Sequence, residues 1–396
     1  MKLCWLIPDD RSNGVASVAL SCCQQAAEAG HETTLLMLVK STNWITSRGF
    51  RVSSLELSGS APEAPVKLLQ WLQNNPQDVV FFNGCGELEA AIPYLPPNLK
   101  CVFVVHDTAP QYWRKALAEE DNLEAIIAVS ETVANQFRYR LKQPKKLTVI
   151  CNGCVFPEQP ELNAARHDDL IFLGGDSSKK GAFDVLKLWK QLVQCEFTGR
   201  LHWFGNVSPN FRAKIDRMPA RERIQVYGRV KRELIFSTAA SAKVLLMLSR
   251  VEPFGMATIE AMSMGCVPVA WDVDTGTKEI VVANQSGLFA PLGNIQVLSE
   301  RILYACDNYR AFSTAVMERA RSNFDRAVMW KGYASLIERI SLLEPIERNK
   351  KGQQPTPYKP PIRRFQLLPP SVRSVIRETV GRSPHLGYWL RDLRGW

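Results

Sequence analysis

Through the first 150 residues, short apolar runs alternate with longer stretches of helical periodicity, the pattern of a parallel sheet flanked by helices. Residues 3–7 predict a strand, 15–29, closed by Gly30, a helix, and 33–39 a second strand. Further strands are predicted over 79–82, 101–105, 125–129 and 147–150. These elements describe a doubly wound domain.

A second series follows a connector rich in proline and charge over 157–169. It predicts strands over 170–173, 201–204, 224–227, 244–248 and 267–271, with helices over 182–192 and about 255–264. Residues 244–248 are continuously apolar, as a strand buried on both faces requires. Residues 296–340 read as helical with a break near Asp325, and 350–370 as a polyproline-like linker. Beyond it, Val372, Val375, Ile376 and Val380 form one apolar stripe, and Leu386, Trp389, Leu390 and Leu393 another, each beside arginines. The expected fold class is α/β: two Rossmann-like doubly wound domains, 1–156 and 157–325, facing a cleft. A helix over 326–344 is expected to return to the first domain, ahead of a basic extension over 345–396.

Composition agrees with a folded chain, since 46% hydrophobic and 22% charged residues exclude disordered and fibrous classes. No run of about eighteen uncharged apolar residues occurs, and the apolar opening meets Pro8, Asp9 and Asp10 too early for a signal-peptide core. A cytoplasmic chain with reduced cysteines is expected. Cys151-Asn-Gly-Cys154 has no second pair at zinc spacing and is read as a turn. The net charge of +10 is concentrated: residues 345–396 hold eleven Lys/Arg against three Asp/Glu. A basic tail on a nearly neutral body points to an anionic partner, such as a membrane surface reached through 371–396, and away from nucleic acid binding by the whole chain. The competing reading packs the tail against the body or a partner chain.

The chemistry concentrates between Ser249 and Gly265, where a buried strand passes through a glycine-containing loop into a helix. A helix N-terminus beside a sheet's carboxyl edge offers free N–H groups and the positive end of the helix dipole to an anion such as a diphosphate. Gly255 lets the backbone come close. Glu252 lies on the loop and Glu260 in the helix, and carboxylates accept the paired hydroxyls of a sugar or ribose. Without more context, two glutamates at a helix start are equally compatible with a dipole interaction alone.

This stretch resembles the signature of the retaining family 4 glycosyltransferases of the GT-B fold: Glu252, then Phe254-Gly255, then Glu260 eight positions after the first glutamate. The resemblance extends through Ala261-Met262, Gly265, Val267-Pro268-Val269-Ala270, Gly276-Thr-Lys-Glu279 and Gly287-Leu288, and covers roughly residues 1–343. It implies that Glu252, Phe254 and Gly255, with Met256 beside them, contact the donor sugar and phosphates, and that Glu260 holds the ribose. Lys180, before Gly181, matches the lysine placed over the diphosphate, where a point charge offsets the leaving group's developing charge. The family's arginine five positions earlier is replaced by Gly175. Lys179 or Arg250 is the expected substitute, failing which donor binding is weakened. Arg229, in Gly228-Arg229-Val230, falls where the family borders the nucleotide base.

In the first half, His106 follows a strand and by the same resemblance approaches the donor sugar, although a structural histidine at a strand end fits too. Ser12-Asn13-Gly14 stands where the family often carries Gly-Gly, and Gly14 retains the close approach. Asp272-Val-Asp274 could instead be the metal pair of the other glycosyltransferase fold. The GT-B resemblance implies no metal and no cofactor, only a nucleotide-diphosphate sugar as co-substrate. The implied function is retaining transfer of a sugar to a hydroxyl of a glycan, glycolipid or other acceptor, in polysaccharide or glycolipid assembly. A catalytically weak or silent nucleotide-sugar-binding scaffold and a nucleotide-sugar epimerase remain the alternatives, with a phosphate-dependent phosphorylase behind them.

Overall fold

The computed structural model describes residues 1–10, 14–41, 49–58, 61–161 and 166–359, and beyond them only 369, 371, 372, 375 and 376. Asn13 and, but for four positions, the amphipathic tail expected over 371–396 lie outside the described residues. The chain divides into two compact units, the first formed mainly by Met1–Val155 and Asp325–Arg364, the second mainly by Phe156–Phe324.

The first unit holds seven parallel strands: β1 (Lys2–Ile7), β2 (Glu32–Met37), β3 (Arg51–Ser54), β4 (Val79–Phe82), β5 (Lys100–Val105), β6 (Ala125–Ala128) and β7 (Leu147–Val149). Their order, β3-β2-β1-β4-β5-β6-β7, places the reversal of winding between β1 and β4, where such sheets bind ligands at their carboxyl ends. Continuous apolar runs form the central strands because helices cover both faces; every residue of Val79–Phe82 is fully buried. Trp5 stacks on Phe81 at 4.4 Å, and Tyr333, from the helix Arg326–Ser341, closes over Phe81 at 5.7 Å. Each buried aromatic of this kind contributes on the order of 2–3 kcal/mol. The helix is capped by Asp325, whose carboxylate accepts from Ala327 N–H at 2.8 Å, and it packs within the first unit.

β3, the helical stretch after residue 295 and the expected linker depart from the expectations, as does the strand Leu288–Pro291, where none is expected. β3, with the sequence Arg-Val-Ser-Ser, has no apolar run to announce it and is half-buried at the sheet edge. The helical stretch after residue 295 breaks at Asn308 as well as Asp325. The expected linker is, over residues 345–359, a strap bound to the first unit. Arg348 is buried there, donating to the carbonyls of Asn122, Pro96 and Leu99 and pairing with Glu124 at 2.9 Å. The strap is also pinned by Tyr358 N–H to Pro62 and by Thr356 N–H to the Tyr94 hydroxyl. Prolines prevent helix here, but anchoring replaces the free chain their composition suggests.

The second unit holds six parallel strands: β8 (His167–Leu173), β9 (Leu201–Phe204), β10 (Ile224–Gly228), β11 (Ala242–Met247), β12 (Val267–Asp272) and β13 (Leu288–Pro291). The order β10-β9-β8-β11-β12-β13 repeats the same winding, with its reversal between β8 and β11. β8 begins three residues earlier than expected because its polar start is matched across the sheet. Buried Asp169 accepts from His202 of β9 at 3.0 Å and from Arg200 N–H at 2.7 Å. Ile171, Leu245, Ala261, Cys266 and Ala270 belong to the apolar core around these strands. Among the described residues no helix is long and apolar enough to cross a membrane.

Candidate active site

In the second unit a cavity of about 460 Å³ opens at the carboxyl ends of β8, β9 and β10. Its wall is built from Gly174–Ser177 after β8, Gly205-Asn206 after β9, Gly228–Val230 after β10, and Ala257 and Glu260 from the helix Met256–Ser263. Lys180 completes it. Three charged residues singled out from the sequence, Lys180, Arg229 and Glu260, therefore share one cavity with Gly175.

Lys180 is set by the turn that follows β8. Gly181 adopts φ +88°, and a Cβ there would lie 2.4 Å from the Leu248 carbonyl, so only glycine allows the turn to close against the end of β11. The Lys180 ammonium meets the Glu252 carboxylate at 2.5 Å, and Glu252 is further held by the Ser249 hydroxyl at 3.2 Å. Gly276 N–H donates to the Glu252 carbonyl at 2.8 Å, tying this loop to the downstream Gly276-Thr-Lys-Glu279 segment. Lys180 is 40% exposed while Glu252 is buried, so the cation remains reachable by an anionic ligand as its partner fixes it in place.

Glu260 faces the same cavity and is ion-paired with Arg232. Burial pushes its carboxyl above the usual range, and the Arg232 guanidinium opposes that shift. No local signature marks Arg232, which opens the helix Arg232–Ser241 and meets Glu260 only through the tertiary fold.

Other expected residues are placed differently. Arg250 is buried and paired with Asp184 at 2.6 Å, while Trp271 donates to the same carboxylate at 3.2 Å. Its guanidinium is thereby held in the interior and does not line the cavity. Phe254 packs its ring on Phe324 at 5.7 Å, leaving main chain for any ligand contact at that position. Lys179 is exposed and its carbonyl accepts from Arg250 N–H at 2.9 Å; its side chain lies outside the cavity lining. Gly255 and Met256 form the start of the helix that carries Glu260. Asp272 pairs with Lys278 at 2.6 Å.

Gly175 is closed to any side chain. It has φ +54°, and a Cβ there would lie 2.4 Å from the Asn206 carbonyl. Gly175 N–H donates to Phe204 and its carbonyl accepts from Trp203 Nε1 at 2.9 Å, which locks this approach between the β8 and β9 ends. Among the described residues, the cations that line the cavity are Lys180 and Arg229.

In the first unit, Gly14 starts the helix Gly14–Glu28, and His106 follows β5. Its Nε2 lies 2.9 Å from Oδ1 of buried Asn83, and burial pushes the imidazole down to about 4.

Residues 158–323 match the family model "Glycosyl transferases group 1", and residues 12–155 match "Glycosyltransferase Family 4". The chain belongs to the family 4 glycosyltransferases. Its two doubly wound units are those of the GT-B fold. Solved structures of similar fold include HepE from Anabaena in complex with UDP and glucose, which is 16% identical over 86% of this chain and 100% of that one, with a TM-score of 0.68. Sucrose-phosphate synthase from Thermosynechococcus elongatus has a TM-score of 0.70 at 16% identity over 86% of this chain and 99% of that one. Both likenesses are of fold. A curated relative, GDP-mannose:cellobiosyl-diphosphopolyprenol alpha-mannosyltransferase of Xanthomonas campestris, is 26% identical over 220 residues. That match takes in 52% of this chain and 57% of the relative, so the chain spans little more than half the length of the curated relatives it matches.

Proposed function

We propose that this protein transfers a sugar, with retention, from a nucleotide-diphosphate sugar to a hydroxyl of a glycan or glycolipid acceptor, without a metal. The observation that carries the proposal is the cavity at the carboxyl edge of the second sheet. It has a reachable Lys180 ammonium, held by Glu252, and the Glu260 carboxylate on the adjoining helix. An ammonium suits a diphosphate leaving group, and a half-buried carboxylate suits a ribose diol. In this reading the diphosphate accepts the acceptor's proton, and the protein contributes orientation and charge stabilisation. The relative whose name specifies a diphosphopolyprenol acceptor supports a lipid-linked glycan, and its GDP-mannose and the UDP of HepE leave two donor classes to test. The closed Gly175 position favours one second reading, in which the nucleotide sugar is bound and turned over weakly or not at all.

The experiment is a thermal-shift and transfer screen of the full chain against UDP-, GDP- and ADP-sugars, with Glu260→Ala alongside. Stabilisation by one nucleotide class, lost in the variant, is expected, because a ligand stabilises the folded state according to its affinity. Binding without consumption of the donor would establish the second reading, and no response to any nucleotide would overturn both.

A further inference from the structure

We propose that Asn83 is a positioning residue that fixes the tautomer of His106, so that the imidazole offers a bare nitrogen, able only to accept, to a substrate hydroxyl. The inference rests on the transferase reading for its substrate, but the arrangement of the two side chains stands on its own geometry.

Asn83 directly follows β4, and His106 directly follows the neighbouring β5, so two adjacent parallel strands deliver them to the same sheet edge. Asn83 is 1% exposed, and its backbone N–H donates to Leu6 of β1 at 3.1 Å, which anchors it at the reversal of winding. Its side-chain amide has one chemically allowed orientation. Nδ2 lies 3.0 Å from the Phe81 carbonyl, an atom that can only accept, so the group facing it must be the amide NH2. The reversed amide would set two oxygens against each other. Oδ1 therefore faces His106, and it too can only accept. The 2.9 Å contact places the ring proton on Nε2.

At neutral pH the ring carries a single proton, since burial holds its pKa near 4. The adjacent Asp107 carboxylate is engaged with Ala109 N–H at 2.8 Å, and burial alone accounts for the shift. With Nε2 protonated, Nδ1 is bare. Such a nitrogen accepts from a sugar hydroxyl and repels a phosphate oxygen, which limits His106 to hydroxyl recognition and excludes it as a proton donor.

The test labels the histidines of the full chain with nitrogen-15 and assigns His106 among the five by the signal lost in His106→Gln. At pH 7, Nδ1 is expected to resonate as an unprotonated imidazole nitrogen and Nε2 as a protonated one. Asn83→Asp puts a carboxylate opposite the ring, so the His106 pKa is expected to rise by roughly one to three units. The acid limb of kcat/KM should move with it. Asn83→Leu, which removes both bonds at similar size, is expected to lower kcat/KM on the order of tenfold. If the leucine variant fails to fold, the aspartate variant alone decides. A protonated Nδ1 in the wild type, or a His106 titration unmoved by Asn83→Asp, would overturn the proposal. The NMR arm needs no substrate, so a chain that transfers no sugar would sink the transferase reading and leave the tautomer assignment to be judged by its own signal.

Discussion

Glu89 offers the sharpest test of how the first unit's sheet edge is built. It ends the short helix Gly86–Glu89, which follows Asn83 in the chain, is 5% exposed, and its Oε1 has no hydrogen-bond partner among the described residues. Burial pushes its carboxyl up from 4.5 to about 7, against the attraction of Lys115 and hydrogen bonds from the Cys85 and Gly84 backbone. Lys115 is itself occupied by Glu119 at 2.8 Å, which limits the compensation. Because the folded-state pKa is raised, the native protein holds this proton longer than the unfolded chain. Stability is therefore highest below the unfolded value near 4.5, falls as pH rises towards 7, and stays at the lower level above it. A shift of about 2.5 units corresponds to ~3 kcal/mol. Glu89→Gln keeps shape and hydrogen bonding without the charge, so it should match the wild type near pH 4.5 and exceed it by up to ~3 kcal/mol at pH 8. For a unit of this size the gain corresponds to a Tm increase on the order of 5–10 °C. Thermal unfolding of both proteins from pH 4.5 to 8.5 measures it. A difference flat across pH, or a variant less stable at pH 8, would refute the reasoning.

Lys180→Ala should lower turnover by a factor on the order of 10² to 10³, the scale of losing one group that stabilises the leaving charge; unchanged steady-state turnover would remove Lys180 from the mechanism. Gly175→Ala should destabilise the second unit by about 1–3 kcal/mol and weaken nucleotide binding, since its Cβ would lie 2.4 Å from the Asn206 carbonyl, and Gly175→Arg should fail to raise activity. Calorimetric titration with the preferred nucleotide checks both. Arg348→Ala leaves the Glu124 carboxyl buried without its cation and should cost ~3–5 kcal/mol in urea unfolding while exposing the strap to protease, whereas Arg348→Met with Glu124→Leu should recover most of that loss.

Much of the architecture was legible because parallel strands buried on both faces must be continuously apolar. Residues 79–82 and 244–248 announce their strands by that requirement alone. The loop from Glu252 to Glu260 was equally visible, since its chemistry is held within a short stretch whose spacing follows from a strand passing into a helix. β3 was not, because a half-buried edge strand needs no apolar run. Whether a cation reaches a ligand also escaped local reading. Arg250 sits two residues from Glu252 in the chain, yet its guanidinium turns inward to Asp184, a partner 66 positions away.

What the sequence by itself determined, then, is the alternation of elements, the two windings and the site-forming loop, all consequences of periodicity and short-range spacing. Tertiary structure alone decided which charges are satisfied and which remain reachable. Arg232 meets Glu260, Asn83 meets His106, and Arg348 turns a proline-rich segment into a strap by finding Glu124. Each of those pairings is made across the fold. Burial makes an unpaired charge or amide costly, and the partner that relieves the cost is chosen by proximity in space, which no local pattern encodes.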